Sequence, residues 1–289
     1  MIITNKLELP QAFVEMAKSE YEYKPKQYSV TSIMSGIRET LLKRRHYNEI
    51  EADVSDMIWA LWGQATHYIL EQQQEKDVEL KEEYLKIDVG NGFKLSGRFD
   101  LYNDETKCIA DYKTASVWKV IYEDYEDWRK QLLMYAWMMR QINFWVDRGQ
   151  IIAILKDHSK TKAQRDRSYP QLPVHKIEFI FTEEDFIEIE EYIIERFKQI
   201  QTLENLPDDE LPICTEEERW HKADTFAVKK KGRKSALRVL NSEDEAKKWM
   251  ETNDKGDSIE FRPGEDTKCL NYCYAKDFCN YYQENVKEN

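Results

Sequence analysis

Lys107-Cys-Ile-Ala-Asp-Tyr-Lys-Thr114 is an apolar segment that predicts a β-strand. Side chains alternate along a strand, so Asp111 and Lys113 fall on one face while Tyr112 points to the other. A carboxylate and an ammonium therefore share a site. Upstream, Phe93-Lys-Leu-Ser-Gly-Arg-Phe-Asp100 is a second apolar run, and Asn103-Asp-Glu-Thr106 is polar enough to turn the chain back. The two runs predict a hairpin with Asp100 and Asp111 near one edge.

Segments on either side add to this set. Trp62-Gly-Gln-Ala-Thr-His67-Tyr-Ile-Leu-Glu71 carries His67 and Glu71 four residues apart in an apolar-periodic stretch, so both face one side of a helix. His67 is a candidate metal ligand, and Glu71 a ligand or the partner behind one. Downstream, Tyr125 to Met139 has no Gly or Pro, and Gln131 and Tyr135 again stand four apart on one helical face. Their neighbours Leu132, Leu133, Ala136 and Met139 are expected in the core, as are Trp62, Trp128 and Trp137.

Oxygen ligands gathered in this way suit Mg2+ or Mn2+. Such an ion polarises a phosphoryl oxygen and acidifies a bound water, while Lys113 either orients that water or stabilises the charge that develops. A lone Asp-x-Lys pair is most simply a solvated ion pair, and Asp100 alone a turn residue. The ordered set His67, Asp100, Asp111, Lys113, Gln131 and Tyr135 points instead to phosphodiester hydrolysis.

In this order and spacing the chain resembles the PD-(D/E)xK nuclease superfamily over most of residues 29–281. Within it, the chain is similar to the RecB-like branch, of the phage or prophage exonuclease type with a C-terminal cysteine cluster. Tyr28-Ser-Val-Thr-Ser-Ile33 looks like that branch's Ser-rich entry to the first helix, and Lys156 to Pro170 is similar to a polar insertion of its phage-type members. The resemblance implies an α/β fold: a restriction-endonuclease-like core with a central mixed sheet flanked by helices. It implies that His67, Asp100, Asp111 and the Tyr112 carbonyl hold Mg2+ or Mn2+, that Lys113 assists hydrolysis, and that Gln131 and Tyr135 position the DNA strand. The implied activity is a DNA exonuclease acting on linear ends or single strands in phage or bacterial recombination, repair or processing. A recombinase, a single-strand-binding protein or a helicase is then a candidate partner. The alternative is a nuclease-derived DNA-binding or assembly protein without turnover of its own.

Cys269-Leu-Asn-Tyr-Cys273-Tyr-Ala-Lys-Asp-Phe-Cys279 gives three cysteines in a short aromatic tail, and Cys214 is available as a fourth. Four thiolates can hold a zinc ion or an iron-sulfur cluster. The fifth, Cys108, lies in the strand leading to Asp111 and is expected to be a small buried hydrophobe. Resemblance to the RecB-like branch favours a [4Fe-4S] cluster, with Zn2+ as the alternative. Two departures stand out: the first gap is three residues where two are common, and Cys214 follows the nuclease motif where the family's fourth ligand precedes it. Either metal would act as a staple that adds folding free energy.

The chain has 289 residues, enough for a large core or a core with an appendage. Residues 29–45 and 54–77 predict helices, 83–89, 93–102 and 107–114 strands, and 122–145 a long helix. Further strands are expected at 150–155 and 175–181, followed by a helix from Glu183 capped by Thr182. The Pro- and acid-rich stretch Leu206 to Pro212 suggests a boundary between a core, 1–205, and a small α/β appendage, 206–289. The appendage would hold a hairpin over 225–240, a helix near 243–250, a strand around Ile259 and the cysteine site.

A net charge of −12 argues against nonspecific duplex binding, yet binding needs only a local positive surface. Lys229 to Lys234 is expected at a hairpin tip, and Lys160, Lys162, Arg165 and Arg167 populate the polar insertion. A closed oligomeric ring would also hold DNA without a basic total charge. No stretch predicts a membrane helix and the first residues lack an export signal. Together with ligand-spaced cysteines, this gives a cytoplasmic expectation, in a bacterial or phage-infected cell.

Overall fold

Ile109, Ala110 and Asp111 are consecutive, yet all three are buried. Burial on both faces marks a central strand, and the Cys108–Ala115 strand lies in the middle of a five-stranded sheet. The computed structural model describes residues 1–18, 23–72 and 77–287, with the side chains of Leu70 and Glu71 excepted. It divides into two compact units, Met1–Ile37 with Tyr47–Asn205 and Arg38–His46 with Leu206–Asn289.

The first unit begins with β1 (Ile2–Thr4), α1 (Gln11–Ala17), β2 (Gln27–Ser29) and α2 (Val30–Met34). Helix α3 (Ile37–Arg45) gives almost all its length to the second unit. Then follow β3 (Glu51–Asp53), α4 (Val54–Glu71), β4 (Glu79–Lys81), β5 (Tyr84–Asp88), β6 (Lys94–Arg98), β7 (Leu101–Asn103) and β8 (Cys108–Ala115). A crossover through α5 (Val117–Ile121) and α6 (Glu126–Gln141) leads to β9 (Arg148–Leu155), then α7 (Lys160–Arg165), β10 (Val174–Ile180) and α8 (Glu183–Leu203).

The main sheet has the order β10-β9-β8-β7-β4. Its β8–β9 pair is parallel, with Asp111 opposite Ile151 and Lys113 opposite Ala153, and its other pairs are antiparallel. Strands β2, β6 and β5 form a second sheet, parallel at β2–β6 and antiparallel at β5–β6. The expected mixed α/β architecture is therefore present. Helix α6 buries every residue from Leu132 to Met139; each large apolar side chain so enclosed contributes about 1.5–3 kcal/mol. The Thr182 cap of α8 forms as expected, in a reciprocal capping box with Asp185.

Four expectations need correction. Residues 29–45 are not one helix but α2 and α3, separated where Ser35 turns extended at ψ 165°. Residues 93–102 are not one strand: β6 and β7 lie in different sheets, and the chain changes sheet at Phe99–Asp100. The Asp100 carbonyl there accepts from Glu82 N–H at 3.1 Å, and its carboxylate is turned to β8. The helix expected over 122–145 is shortened to α6, Glu126–Gln141: Glu123 at φ 51° stands between it and the separate short helix α5, and Asn143 at φ 67° lies beyond its end; left-handed backbone interrupts helices. Trp62 is exposed, unlike Trp128 and Trp137. Helix α4 buries Val54 and Leu61 against Val14 and Ala17 of α1, and Trp62 is rotated off that stripe by about 100°. The helix itself ends at Glu71, and part of the expected extension to 77 lies outside the described residues.

The second unit continues with α9 (Glu216–Arg219), β11 (His221–Lys222), β12 (Thr225–Lys229), β13 (Arg238–Leu240), α10 (Glu243–Asn253) and β14 (Ser258–Arg262). It ends with β15 (Glu265–Asp266), α11 (Thr267–Asn271) and α12 (Asn280–Asn285). Strands β13-β12-β14 form an antiparallel sheet, and the loop Lys230–Lys234 is exposed at the expected hairpin tip. Buried polar groups are prominent in this unit. Asp266 accepts from Arg219 Nε at 3.0 Å and Tyr281 Oη at 2.8 Å, and pairs with His221 Nδ1 at 2.7 Å. Among the described residues, no helix of the chain is long and apolar enough to cross a membrane.

Candidate functional site

Strand β8 carries Asp111 and Lys113 on one face, and the two meet: Lys113 Nζ lies 2.8 Å from Asp111 Oδ2. The same ammonium donates to Gln131 Oε1 at 2.8 Å, and Gln131 Nε2 donates to Tyr135 Oη at 3.3 Å. Gln131 and Tyr135 are one turn apart on α6, which returns over β8 within the crossover to β9. Glycine is required at position 97, because a Cβ there would stand 2.5 Å from Tyr135 Cε1. The Gly-Arg-Phe-Asp sequence thus admits the Tyr135 ring before it supplies Asp100.

Asp100 is buried at the change of sheet, and its Oδ2 accepts from the Tyr112 backbone N–H at 2.6 Å. Its other oxygen lies 3.4 Å from His67 Nδ1, and Glu82 Oε1 lies 4.0 Å from the same nitrogen. Ligand atoms of His67, Glu82 and Asp100 all fall within 4.8 Å of one another. Sequence reasoning placed His67, Asp100, Asp111 and the Tyr112 carbonyl together. The structure unites His67 with Asp100 and adds Glu82, while Asp111 stands outside this trio. Tyr112 meets Asp100 through its backbone amide.

Glu82 was missed, and little in the sequence marks it. It precedes β5 in a chain with 55 acidic residues, and its backbone adopts φ 49° in the turn after β4. Glu71, expected beside His67, has its side chain outside the described residues.

The charges explain why this site suits a cation. Burial pushes Asp111 up to about 6; the Asp100 charge adds to the effect, and Lys113 and His67 oppose it. Hydrogen bonding to Asp100 raises the His67 pKa against the opposing effect of burial, helped by the charges of Asp100, Asp111 and Glu82. Asp111 Oδ2 is buried, and among the described residues the Lys113 ammonium at 2.8 Å is the partner it has. The carboxylates of Glu82 and Asp100, with Asp111 near them, are the oxygen donors that Mg2+ or Mn2+ prefers, whereas the His67 imidazole is a donor more usual for other transition metals.

In the second unit, Cys214, Cys269, Cys273 and Cys279 line one cavity, and all are half-buried. Burial pushes the thiols of Cys214 and Cys269 up to about 11 and that of Cys273 up to about 12. Arg38 Nε donates to Cys279 Sγ at 3.2 Å, and Arg219 and Lys276 also line the cavity. The Arg219 charge opposes the rise at Cys269. Cys108 remains on β8, half-buried, with its thiol raised to about 11 by burial. The other histidines are surface or structural: His158 pairs with the Pro170 carbonyl and His46 with Asp208, while His221 belongs to the Asp266 cluster.

Among solved structures, SSO0001 is similar at 18% identity, with 68% of this chain and 85% of that one covered and a TM-score of 0.46. A phage-related exonuclease from Haemophilus somnus 129PT is similar at 15% identity, with 66% and 82% covered and a TM-score of 0.28. No curated protein matches. The model of the PD-(D/E)XK nuclease superfamily matches residues 15–280, the span that contains both the Asp111–Lys113 strand and the Gln131–Tyr135 helix. The chain therefore belongs to the PD-(D/E)XK nuclease superfamily.

Proposed function

We propose that the chain is a divalent-metal-dependent DNA exonuclease, acting on linear ends or single strands in recombination, repair or processing. The observation that carries this reading is the chain of contacts Asp111–Lys113–Gln131–Tyr135 beside the acidic trio. Glu82, Asp100 and His67 hold the cation, with Asp111 and the Tyr112 carbonyl completing its surroundings. When bound, Mg2+ or Mn2+ polarises the phosphoryl oxygen and acidifies a water. Lys113, fixed between Asp111 and Gln131, offers its ammonium where charge develops on the phosphate. Gln131 and Tyr135 position the strand. The RecB-like branch, the cytoplasm of a bacterial or phage-infected cell, and a recombinase, single-strand-binding protein or helicase partner form the biological setting of this reading.

The cysteine cavity is proposed to hold a [4Fe-4S] cluster. Support for it is the common cavity lined by Cys214, Cys269, Cys273 and Cys279 together with the resemblance to the RecB-like branch, and Zn2+, which four thiolates also hold, is the alternative.

Release of labelled nucleotides from linear and circular, single- and double-stranded DNA tests the hydrolytic reading. With Mg2+ or Mn2+, wild-type protein purified without oxygen should degrade linear DNA, whereas EDTA or Asp111→Ala should stop it. No turnover on any substrate by cluster-intact protein would favour a DNA-binding or assembly role. Iron and sulfide analysis of Cys273→Ser should show loss of the cluster, and unchanged metal content would sink the shared cysteine site.

A further inference from the structure

Tryptophan is usually largely buried, but Trp59 and Trp62 on α4 are 60% and 59% exposed, and Trp118 and Tyr122 at α5 are 51% and 72% exposed. These four belong to elements that meet at the end of β8. A Cβ on Gly63 of α4 would contact Thr114 Oγ1 at 3.5 Å, so the helix runs against the strand one residue beyond Lys113. Ser116 caps α5 directly after β8, and Asp157 holds that cap through Ser116 Oγ and Val117 N–H, both at 2.7 Å. Lys156 N–H donates to the Ala115 carbonyl at 3.0 Å, while its ammonium sits 4.4 Å from the centre of the Trp59 ring. Trp118 and Tyr122 stack on each other at 5.7 Å and 23°.

Charge beside these rings favours one class of occupant. Lys156, Lys160, Lys162, Arg165 and Arg167 are exposed in the segment after β9. The carboxylates interspersed with them, Asp157 and Asp166, are engaged locally, Asp157 at the α5 cap and Asp166 with Ser168. Exposed aromatic faces, with Lys156 against the Trp59 ring and a basic segment following it in the chain, fit unpaired bases on a phosphate backbone, because duplex bases hide their faces in the stack. An apolar protein surface would gain nothing from the cations.

We propose that Trp59, Trp62, Trp118 and Tyr122 form a stacking platform for unpaired bases, with Lys156 and the basic segment 160–167 following the backbone, so that the β8 site receives single-stranded DNA. This rests on the nuclease reading and specifies its substrate class. The aromatic residues position the strand and leave the chemistry to β8.

Binding of fluorescein-labelled oligothymidylate and of a blunt duplex, followed by anisotropy in EDTA across a salt series, tests it apart from hydrolysis. Wild type should prefer the single strand. Trp118→Ala and the double variant W59A/W62A should each weaken that binding by roughly 5- to 100-fold, with an unchanged salt slope and unfolding midpoint, while Trp118→Phe retains binding. The double variant K160Q/K162Q should lower the salt slope by about 1–2. Wild-type single-strand affinity in the aromatic variants, or equal losses on the blunt duplex, would overturn the platform while a DNA-degrading wild type left the nuclease reading standing. Loss of self-association in those variants with unchanged DNA affinity would assign the rings to an interface between copies and overturn it too. Failure of the wild type to bind or cut any DNA would remove both proposals.

Discussion

Asp111 and Asp266 are both buried carboxylates, yet their environments drive them in opposite directions. Burial alone would raise Asp266, but hydrogen bonds from Tyr281, His221 and Arg219 hold it below the ordinary aspartate range. Asp111 is raised to about 6 by burial, and against that its Oδ2 has the Lys113 ammonium at 2.8 Å where Asp266 has three donors. The first carboxylate is satisfied by the protein itself and cross-links β15, α9 and the C-terminal helix. The second is left short of partners on the strand that carries the family's motif. A buried charge supplied with donors is architecture; one kept short of them is readiness for a ligand.

The largest expected effect breaks the under-supplied pair. Lys113→Met should lower nucleotide release by about a thousandfold, the scale of removing a group that stabilises developing charge. It should also lower the unfolding midpoint of metal-free protein by leaving Asp111 buried and unpaired. Adding Asp111→Asn should restore the midpoint without restoring activity. An active Lys113→Met enzyme would refute the role given to that ammonium.

A smaller effect separates the two carboxylates by stability alone. Asp266→Asn should cost about 2 kcal/mol, because it removes charge-assisted bonds and strands the Arg219 guanidinium. Asp111→Asn should be neutral or stabilising in chemical denaturation of metal-free protein at pH 7. Equal losses in both variants would erase the contrast.

The smallest effect is in pH dependence, where the signs differ. The folded chain holds a proton on Asp111 between the ordinary value of 3.8 and about 6, so that site's contribution falls as pH rises through this window. Any advantage of Asp111→Asn over wild type at pH 7 should therefore shrink as pH drops to 4. Asp266 has a depressed value, so its contribution is present above 3.8 and is lost as pH falls through its folded value. The deficit of Asp266→Asn should hold down to about pH 4 and disappear below. Denaturation midpoints of metal-free wild type and both variants across pH give this readout.

Much of the site was legible because its members repeat on the periods of regular structure. Asp111 and Lys113 follow a strand's two-residue alternation, and Gln131 and Tyr135 follow a helical turn, so backbone geometry converts spacing directly into proximity. Glu82 lies in a turn with left-handed backbone, and its approach to His67 depends on a tertiary meeting of α4 with the β4–β5 connection. No local period encodes that meeting. The division of residues 93–102 was hidden for a related reason: hydrophobicity runs through Phe99, but hydrogen bonding at Asp100 takes the chain into another sheet. Trp62 was misplaced because composition favours burial of tryptophan, while the face of α4 that meets α1 is fixed by Val54 and Leu61.

The contacts from Gly97 through Asp111, Lys113 and Gln131 to Tyr135 lie within one uninterrupted stretch of chain. Rearrangement elsewhere therefore need not divide them. The exposed turn at Gly90–Gly92, with both glycines at positive φ, is a natural place to open new termini or receive a foreign segment. A lineage could rebuild its ends, acquire a reporter or exchange a neighbouring module there while inheriting this part of the chemistry as a single piece.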